Sequence, residues 1–301
     1  MVSLLAKHVV HSAHDGHIIL FIRTRAKLHE FAASSKGIVA VDSLQEVASK
    51  CNITFSCLSN DDALKSVFHD FIRGLPEKKN TNDDDIVKVY VDCSTVLPST
   101  TTYLAALGAE HGVHYCHCPV FGRPDAAAAG RLLAYISGAT ETIRRQISGL
   151  VGVTFAQAGV HDLGDVPAAA TRMKLLGNSY IAGHIELAGQ TLALGAKSQL
   201  PQESVLDLMH YITSSPVAMG YARRMAAGDY EAGGTGFTVD LALKDVSHIQ
   251  TLGREVGCPL PVADLVMGHL ISAKARHGGQ LDWGGALALA IRDAAGLPND
   301  L

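Results

Sequence analysis

Residues 170 to 195 read ATRMKLLGNSYIAGHIELAGQTLALG, and we expect the rest of the chain to be arranged around them. The segment has no proline, is mostly apolar and is rich in small residues, which predicts one long helix that other helices approach closely. Lys174 and Asn178 are four residues apart, so on a helix they lie on the same face, one turn from each other. The stretch therefore predicts a largely apolar helix with two polar groups on one side.

Lys174 needs a physical explanation, because the free energy of burying an unpaired ammonium is unfavourable. Its stem can carry the charge out to solvent, or the charge can pair with an anion. Alternatively, the amine lines a cleft in which a lowered pKa serves proton transfer. The stretch by itself leaves these three interpretations open.

The composition is that of a folded protein. The chain has 301 residues, of which 48% are hydrophobic and 18% charged, so it is long and apolar enough for one large or two medium domains with a substantial core. The formal net charge of −4 provides no basic surface for nucleic acid, and we expect no nucleic-acid partner.

Cysteine spacing and hydropathy predict the cellular compartment. The six cysteines show no disulfide framework, which favours buried, reduced thiols. No apolar run is long enough to cross a bilayer, so no membrane association is expected. Lys7, His8 and His11 interrupt the first apolar run, which therefore favours an amphipathic helix over residues 1 to 14 rather than a signal peptide. We expect a cytoplasmic protein.

Strand and helix patterns alternate in the first half of the chain and not in the second. Strands are predicted at 17–22, 53–58, 86–92, 114–118 and 132–137, a short strand or turn at 39–41, and helices at 27–33, 43–48, 59–72, 98–111 and from 141, with a polar loop at 78–85. After Pro167 only helices are predicted, at 170–195, 201–211, 217–227, 238–256 and 261–277. The pattern predicts an α/β domain with a mostly parallel, doubly wound sheet over residues 1–166, then an all-α domain over 167–301 that begins with a long interdomain helix.

The front of the chain differs from a complete dinucleotide-binding sheet. Such Rossmann-like sheets begin with a strand and a Gly-rich turn, followed by a helix and a second strand with a charged end. This sequence has the helix, the second strand and its charged end, but no G-x-G-x-x-G, so we expect a Rossmann-like sheet that lacks its first strand. Arg23, Thr24 and Arg25 stand where the adenosine ribose would be recognised. Arginine there suits a 2′-phosphate and favours NADP(H) over NAD(H), although a solvated basic strand end is the alternative.

Four motifs occur in order over nearly the whole chain. They are DCSTVLP at 92–98, CPVFGRPDAAAAG at 118–130, the pair Lys174 and Asn178, and LKD at 243–245. Together they resemble the β-hydroxyacid dehydrogenase family, which is related to 6-phosphogluconate dehydrogenase and the imine reductases. The resemblance implies an enzyme that transfers hydride between NADP(H) and a small carbonyl, hydroxyacid or imine compound.

The resemblance also implies roles for individual residues. It makes Lys174 the general acid or base, whose pKa we expect to be drawn toward neutrality, and Asn178 the residue that orients the substrate. It places Lys244 near the nicotinamide and the substrate. The remaining cofactor residues implied by the resemblance, besides Arg23, Thr24 and Arg25, are Leu58, Ser59 and Asn60 in a loop under the cofactor, and Ser94 and Thr95 beside the nicotinamide ribose and carboxamide.

The substrate pocket departs from the family pattern. Phe121, Gly122 and Arg123 stand where the family has Ser-Gly-Gly, which grips the substrate carboxylate. Phenylalanine narrows the pocket and removes hydrogen-bond donors, so the substrate class stays open between a carbonyl acid and an imine. Arg123 either contacts an anion in bidentate fashion or is a surface arginine.

The resemblance aligns Met1 and Val2 with the end of the phosphate-binding turn. Either the sequence is a truncated form, or the protein has lost cofactor binding; in both cases we expect this chain to bind NADP(H) poorly. The rival hypothesis is a non-catalytic binding or dimerisation module. The apolar face of the long helix, with Gly177, Gly183 and Gly189, favours a homodimer, which the resemblance also implies.

Three further patterns were weighed as sites and rejected. Histidines at 8, 11, 14 and 17 drift around a helix that Asp15-Gly16 interrupts, and the His and Cys residues at 114–118 alternate between two faces of a strand. The glycines at 228–236 match no phosphate-loop spacing. We therefore expect no metal site.

Overall fold

The computed structural model describes residues 18–34, 37–76, 87–230 and 236–299. The helix predicted over 1–14 and the polar loop at 78–85 lie outside these residues. The chain divides into two compact units, Met1–Lys174 (unit 1) and Leu175–Leu301 (unit 2). The predicted boundary at residue 166 stays a prediction.

Unit 1 is an α/β domain. Its strands are β1 (Ile18–Leu20), β2 (Ile38–Ala40), β3 (Ile53–Ser56), β4 (Lys88–Asp92), β5 (Val113–His117), β6 (Val120–Phe121), β7 (Leu133–Gly138) and β8 (Gly159–Asp162). Its helices are α1 (Arg25–Ser34), α2 (Leu44–Lys50), α3 (Asp61–Arg73), α4 (Pro98–Glu110), α5 (Pro124–Ala128), α6 (Glu141–Thr154) and the start of α7 (Ala169–Lys197).

The described strands form two sheets. β1 and β2 pair in parallel, and six strands form a second sheet in the order β3-β4-β5-β7-β6, with β8 also pairing with β7. β3, β4 and β5 are parallel to one another and β8 is parallel to β7, whereas β7 runs antiparallel to β5 and β6. The predicted mostly parallel, Rossmann-like α/β architecture is confirmed; β6 and β8 were not predicted.

Aromatic side chains fill one face of the larger sheet. The ring of Phe68 on α3 packs edge-on against Tyr90 and Tyr115, with centroids 4.8 and 5.6 Å apart, and Phe71 packs against Tyr90 at 5.0 Å. All four rings are buried. Edge-to-face packing adds to the free energy of apolar burial, so this cluster holds α3 on the two central strands.

Unit 2 is entirely helical in its described residues. It contains most of α7, then α8 (Gln202–Thr213), α9 (Pro216–Ala226), α10 (Val239–Glu255), α11 (Pro261–His277) and α12 (Trp283–Ala294). The long helix and the next four agree with the predicted ranges to within two residues at each end. α12 was not predicted, because Gly284 and Gly285 at its start are unusual in a helix interior. None of the described helices combines the length and apolar composition needed to cross a membrane.

The two glycines of α12 are there for close packing. A Cβ on Gly285 would stand 2.5 Å from the Cα of Tyr230, and one on Gly284 would stand 2.7 Å from the ring of Tyr221. Tyr221 also accepts a 2.9 Å hydrogen bond from the indole of Trp283. Contacts with residues distant in sequence therefore decide that this segment is a helix.

Candidate active site

A buried carboxylate organises the carboxyl ends of the central strands. Asp92, the last residue of β4, is fully buried. Its Oδ1 accepts hydrogen bonds from the hydroxyls of Ser56 (2.7 Å) and Ser94 (2.6 Å) and from the Ser94 amide (3.2 Å). The Tyr115 hydroxyl donates to its Oδ2 at 3.3 Å. These bonds satisfy a charge that would otherwise be costly to bury, and they fix the turn that follows β4.

The predicted cofactor residues of β3 and β4 lie on this edge of the sheet. The Leu58 amide donates to Ser94 Oγ at 2.8 Å, so the two loops are joined. Ser59 and Asn60 are exposed, and Asn60 caps α3 by accepting a hydrogen bond from the Ala63 amide at 2.9 Å. Ser94 is buried and Thr95 half-buried. The structure therefore brings Leu58 and Ser94 together and presents Ser59 and Asn60 to solvent.

Arg23, Thr24 and Arg25 follow β1 and are all exposed. The Arg25 guanidinium is 2.9 Å from a carboxylate oxygen of Asp42. Both side chains of this pair are more than 60% exposed, so it adds little to stability. The segment is a basic strand end open to solvent.

Lys174, in the first turns of α7, is half-buried within unit 1. Its Nζ donates a 2.8 Å hydrogen bond to the carbonyl of Val120 and lies 4.0 Å from the centroid of the Phe121 ring. A carbonyl and an aromatic face both attract an ammonium. These contacts hold the amine within unit 1, and the roles considered for this lysine from the sequence stay predictions.

The residues that follow β5 form the surface around the Lys174 amine. The Phe121 ring packs edge-on against Tyr135, with centroids 5.9 Å apart. Gly122 has φ +141°, which favours glycine, and a Cβ there would stand 2.5 Å from Leu132. Arg123 is half-buried at the start of α5. Lys174 and Phe121, both predicted substrate residues, are therefore in direct contact.

His117, at the end of β5, was considered from the sequence only as part of a rejected metal site and was given no role. Its Nε2 lies 3.0 Å from the Ser94 carbonyl and 3.5 Å from Asp92 Oδ2, and its Nδ1 lies 2.8 Å from the Thr171 hydroxyl. Burial lowers the pKa of His117, and the Lys174 charge adds to this, whereas Asp92 and the Ser94 carbonyl oppose it. Its place at the carboxyl end of a buried strand is the signal that could have identified it.

In unit 2, Asn178 is buried on α7 and donates a 2.6 Å hydrogen bond to Asp245 Oδ2 on α10. The Lys244 amine lies 3.1 Å from the other oxygen of Asp245. The structure thus joins Asn178 and Lys244 through a buried carboxylate. Asp245 belongs to the LKD motif but was given no role from the sequence, because nothing local shows which residue it contacts.

The remaining candidate groups are possible metal ligands and the cysteines. In the described ranges, no group of three or more His, Cys, Asp or Glu side chains is placed to hold a metal ion. The six cysteines all lie in the described ranges, and no disulfide joins any of them. The expectation that all are buried was wrong for Cys57 and Cys258, which are exposed, and for Cys51, which is half-buried. Cys93, Cys116 and Cys118 belong to one buried apolar cluster of unit 1, whereas the other three cysteines lie outside it, after α2, β3 and α10.

Two models of known protein families match this chain. The model of the NAD binding domain of 6-phosphogluconate dehydrogenase matches residues 1–151, and the model described as NAD-binding of NADP-dependent 3-hydroxyisobutyrate dehydrogenase matches residues 168–290. The chain belongs to the β-hydroxyacid dehydrogenase family. The resemblance based on four motifs is therefore confirmed, and the protein is an NAD(P)-binding oxidoreductase of this family.

Individual relatives have low sequence identity to this chain, but the alignments cover nearly the whole length of both proteins. The chain is 26% identical to the uncharacterized oxidoreductase YfjR of Bacillus subtilis over 282 residues, 93% of this chain and 92% of that protein. It is also 26% identical to the NADH-dependent oxidoreductase ucdB of Aspergillus ustus over 281 residues, 93% and 92% of the two chains. Its fold matches Mycobacterium tuberculosis 3-hydroxyisobutyrate dehydrogenase with a TM-score of 0.77 at 17% identity, covering 96% of this chain and 95% of that one.

Proposed function

We propose that this member of the β-hydroxyacid dehydrogenase family is an NADP(H)-dependent reductase or dehydrogenase of a small carbonyl, hydroxyacid or imine compound, with Lys174 as its proton donor and acceptor. The observation that carries the proposal is the Lys174 amine, held by the Val120 carbonyl and the Phe121 ring inside the α/β unit. A half-buried ammonium beside an aromatic ring is suited to proton exchange with a bound substrate.

Residues at the carboxyl ends of the strands fit a dinucleotide. In α/β sheets ligands bind outside these ends, where this chain presents the exposed Arg23, Thr24 and Arg25 after β1. Guanidinium groups pair with phosphate, which suits Arg23 to a phosphate group of the cofactor. Leu58, Ser59, Ser94 and Thr95 would hold the remainder of the cofactor, which supplies or accepts the hydride.

The reaction moves negative charge onto the substrate heteroatom during reduction, and that atom must receive a proton. Lys174 donates this proton, and in oxidation it removes the proton from the substrate hydroxyl or amine. Asn178 has one amide N–H engaged by Asp245, so its side chain is held in one orientation. We assign Asn178 and Lys244 to substrate orientation and to charge near the nicotinamide.

Phe121 and Arg123 limit which substrates fit the proposed site. An aromatic ring in place of a hydroxyl donor favours an apolar group next to the reacting carbon, and Arg123 offers a charge to an anionic substituent.

The test of the proposed function is steady-state oxidation of NADPH and of NADH with two panels of substrates, short oxo acids and cyclic imines. The absence of turnover with both panels and both cofactors would contradict the proposed function.

Arg23→Ala is expected to weaken the binding of NADPH but not of NADH. If the guanidinium binds the 2′-phosphate, its loss removes a charge-assisted hydrogen bond of about 1.5–3 kcal/mol and raises the Kd of NADPH by about 10- to 100-fold, with the Kd of NADH unchanged. Arg73→Ala, an exposed arginine paired with Asp70 on α3, is the control. Equal effects on both nucleotides would show that Arg23 does not recognise the phosphate. Fluorescence titration measures each Kd.

We also propose a homodimer formed through unit 2. Leu176, Tyr180, Leu187 and Leu194 lie on one face of α7 and are 57% to 70% exposed. Their spacing of four and seven residues makes a continuous apolar stripe that a second copy would cover. An isologous contact would bury each side chain twice, once in each subunit.

The cytoplasmic location expected from the sequence stays a prediction.

Leu187→Glu is expected to dissociate this dimer. Two carboxylates would be buried in a symmetric interface, which weakens association by about 3 kcal/mol or more, roughly 100-fold in Kd. Ala196→Glu places the same charge at an exposed position near the end of α7, on the side of the helix opposite Leu187, and should leave the dimer intact. Sedimentation equilibrium measures the association of both variants. A wild-type monomer, or a Leu187→Glu dimer of unchanged strength, would contradict the proposal.

A further inference from the structure

Four buried groups in unit 1 form one chain of hydrogen bonds from α4 to the turn after β4. The Thr101 and Thr171 hydroxyls are 2.8 Å apart, Thr171 is 2.8 Å from His117 Nδ1, and His117 Nε2 is 3.0 Å from the Ser94 carbonyl. Thr101, His117, Ser94 and Thr171 are each at most 1% exposed. All four groups are therefore shielded from bulk water.

The chemistry of the groups sets the direction of every bond. The Ser94 carbonyl can only accept, so His117 Nε2 carries the hydrogen. With a neutral ring, Nδ1 is then an acceptor, so the Thr171 hydroxyl donates to it and accepts from Thr101. Burial, which lowers the pKa of His117, favours this neutral ring. The side chain of His117 therefore has one tautomer and one ring orientation that satisfy both neighbours.

The two ends of this chain belong to the proposed site. Ser94 accepts the Leu58 amide on its hydroxyl and so connects the two loops assigned to the cofactor. Thr171 precedes Lys174 by three residues on α7, so both lie on the same side of the helix. Ser137 also holds this helix start, since its hydroxyl accepts from the Ala170 amide at 2.9 Å. His117 is the group that links the start of the lysine helix directly to the turn containing Ser94.

We propose that His117 is a positioning residue, which through Thr171 fixes the first turn of α7 against the Ser94 turn and so sets the location of the Lys174 amine. This inference rests on the proposed function of Lys174 and adds a residue to it. Buried polar chains that are fully satisfied favour one arrangement of the elements they join, whereas apolar contacts tolerate sliding. A displacement of about 1 Å at a reacting group can lower turnover by as much as about 100-fold.

Thr171→Val tests the link without changing side-chain volume. It removes the donor to His117 and leaves the methyl packing of the helix. We expect kcat to fall about tenfold with KM for the cofactor unchanged, and Thr171→Ser, which keeps the hydroxyl, to restore kcat. Thr154→Val is the matched control, because Thr154 is a buried threonine of the same unit whose hydroxyl bonds only within its own helix, to the Leu150 and Val151 carbonyls.

A second pair of variants separates the two bonds of the ring. His117→Asn keeps an acceptor near the Nδ1 position for Thr171, whereas His117→Gln keeps a donor near the Nε2 position for the Ser94 carbonyl. If His117 acts by joining Thr171 to the Ser94 turn, each variant keeps only one of the two hydrogen bonds. Neither variant should then have the wild-type kcat. A purely structural role would instead lower the melting temperature in both variants and leave kcat per folded molecule unchanged.

A readout without turnover tests the location of Lys174 directly. Acetylation of amines by N-hydroxysuccinimidyl acetate, followed by mass spectrometry, gives the rate at Lys174 relative to the exposed Lys197 of the same helix. We expect Thr171→Val to change this ratio several-fold, and Thr171→Ser and Thr154→Val to leave it at the wild-type value. An unchanged ratio in Thr171→Val overturns the inference.

The outcomes distinguish this inference from the function on which it rests. If wild-type protein turns over and Lys174→Ala does not, but Thr171→Val retains full kcat, only the positioning role of His117 fails. If no variant or wild type turns over any substrate, the proposed function fails. The acetylation ratio then still decides whether the Thr171 link holds the lysine in place.

Discussion

Lys174→Ala is expected to lower kcat by about 10²- to 10⁴-fold and to leave the Kd of NADPH at its wild-type value. The amine contacts the Val120 carbonyl and the Phe121 ring, whereas the residues assigned to the cofactor phosphates are the exposed Arg23, Thr24 and Arg25 after β1. Removing it therefore eliminates proton transfer rather than nucleotide recognition. Stopped-flow measurement of a single turnover, with nucleotide binding measured by titration, separates the two.

Three comparisons make this result specific for proton transfer. Lys174→Arg keeps a positive charge over the ring but does not release a proton near neutral pH, so it should be as slow as the alanine variant. Small primary amines added to Lys174→Ala should restore part of the rate. Lys197→Ala, at the exposed end of the same helix, should retain full activity. Wild-type turnover in Lys174→Ala would rule out the acid-base role.

Asp92→Ala is expected to lower the free energy of unfolding by about 3–5 kcal/mol. The substitution leaves the hydroxyls of the half-buried Ser56 and the buried Ser94 and Tyr115 without their common acceptor, and each buried donor left unsatisfied costs about 1–3 kcal/mol. Because the same carboxylate fixes the Ser94 turn, nucleotide binding should weaken as well. Urea denaturation followed by circular dichroism measures the change in stability.

Asp207 supplies the control for this effect. It is an exposed residue within α8, so Asp207→Ala should change the free energy of unfolding by no more than about 0.5 kcal/mol. Asp92→Asn keeps the shape of the side chain but places an amide donor among hydroxyl donors, and it should be intermediate. Equal stabilities of Asp92→Ala and Asp207→Ala would contradict the view that this carboxylate organises the sheet edge.

The long helix is the part of the fold that the sequence predicted best. Residues 170–195 were predicted as helix, and α7 spans Ala169–Lys197. A long, proline-free segment of helix formers needs no distant contact to specify its conformation. The motifs were likewise visible locally, and their order was enough to identify the family that the domain comparisons confirm.

Short and glycine-rich elements could not be predicted in this way. β6 has two residues and is a strand only because β7 lies beside it. α12 begins with Gly284 and Gly285, which by propensity disfavour a helix, and it forms because those glycines pack against Tyr221 and Tyr230. In both cases a residue far along the chain supplies the decisive contact.

The sequence by itself determined the class of fold, the order of the motifs and the identity of the residues proposed for chemistry, because periodicity and motif spacing are properties of neighbouring residues. Only the tertiary structure decided which of those residues meet. It places Lys174 against Phe121, Asn178 against Asp245, and His117 between Ser94 and Thr171. These pairs are separated in sequence by 23 to 67 residues, and the chain path that closes such distances depends on the packing of the whole domain rather than on any local pattern.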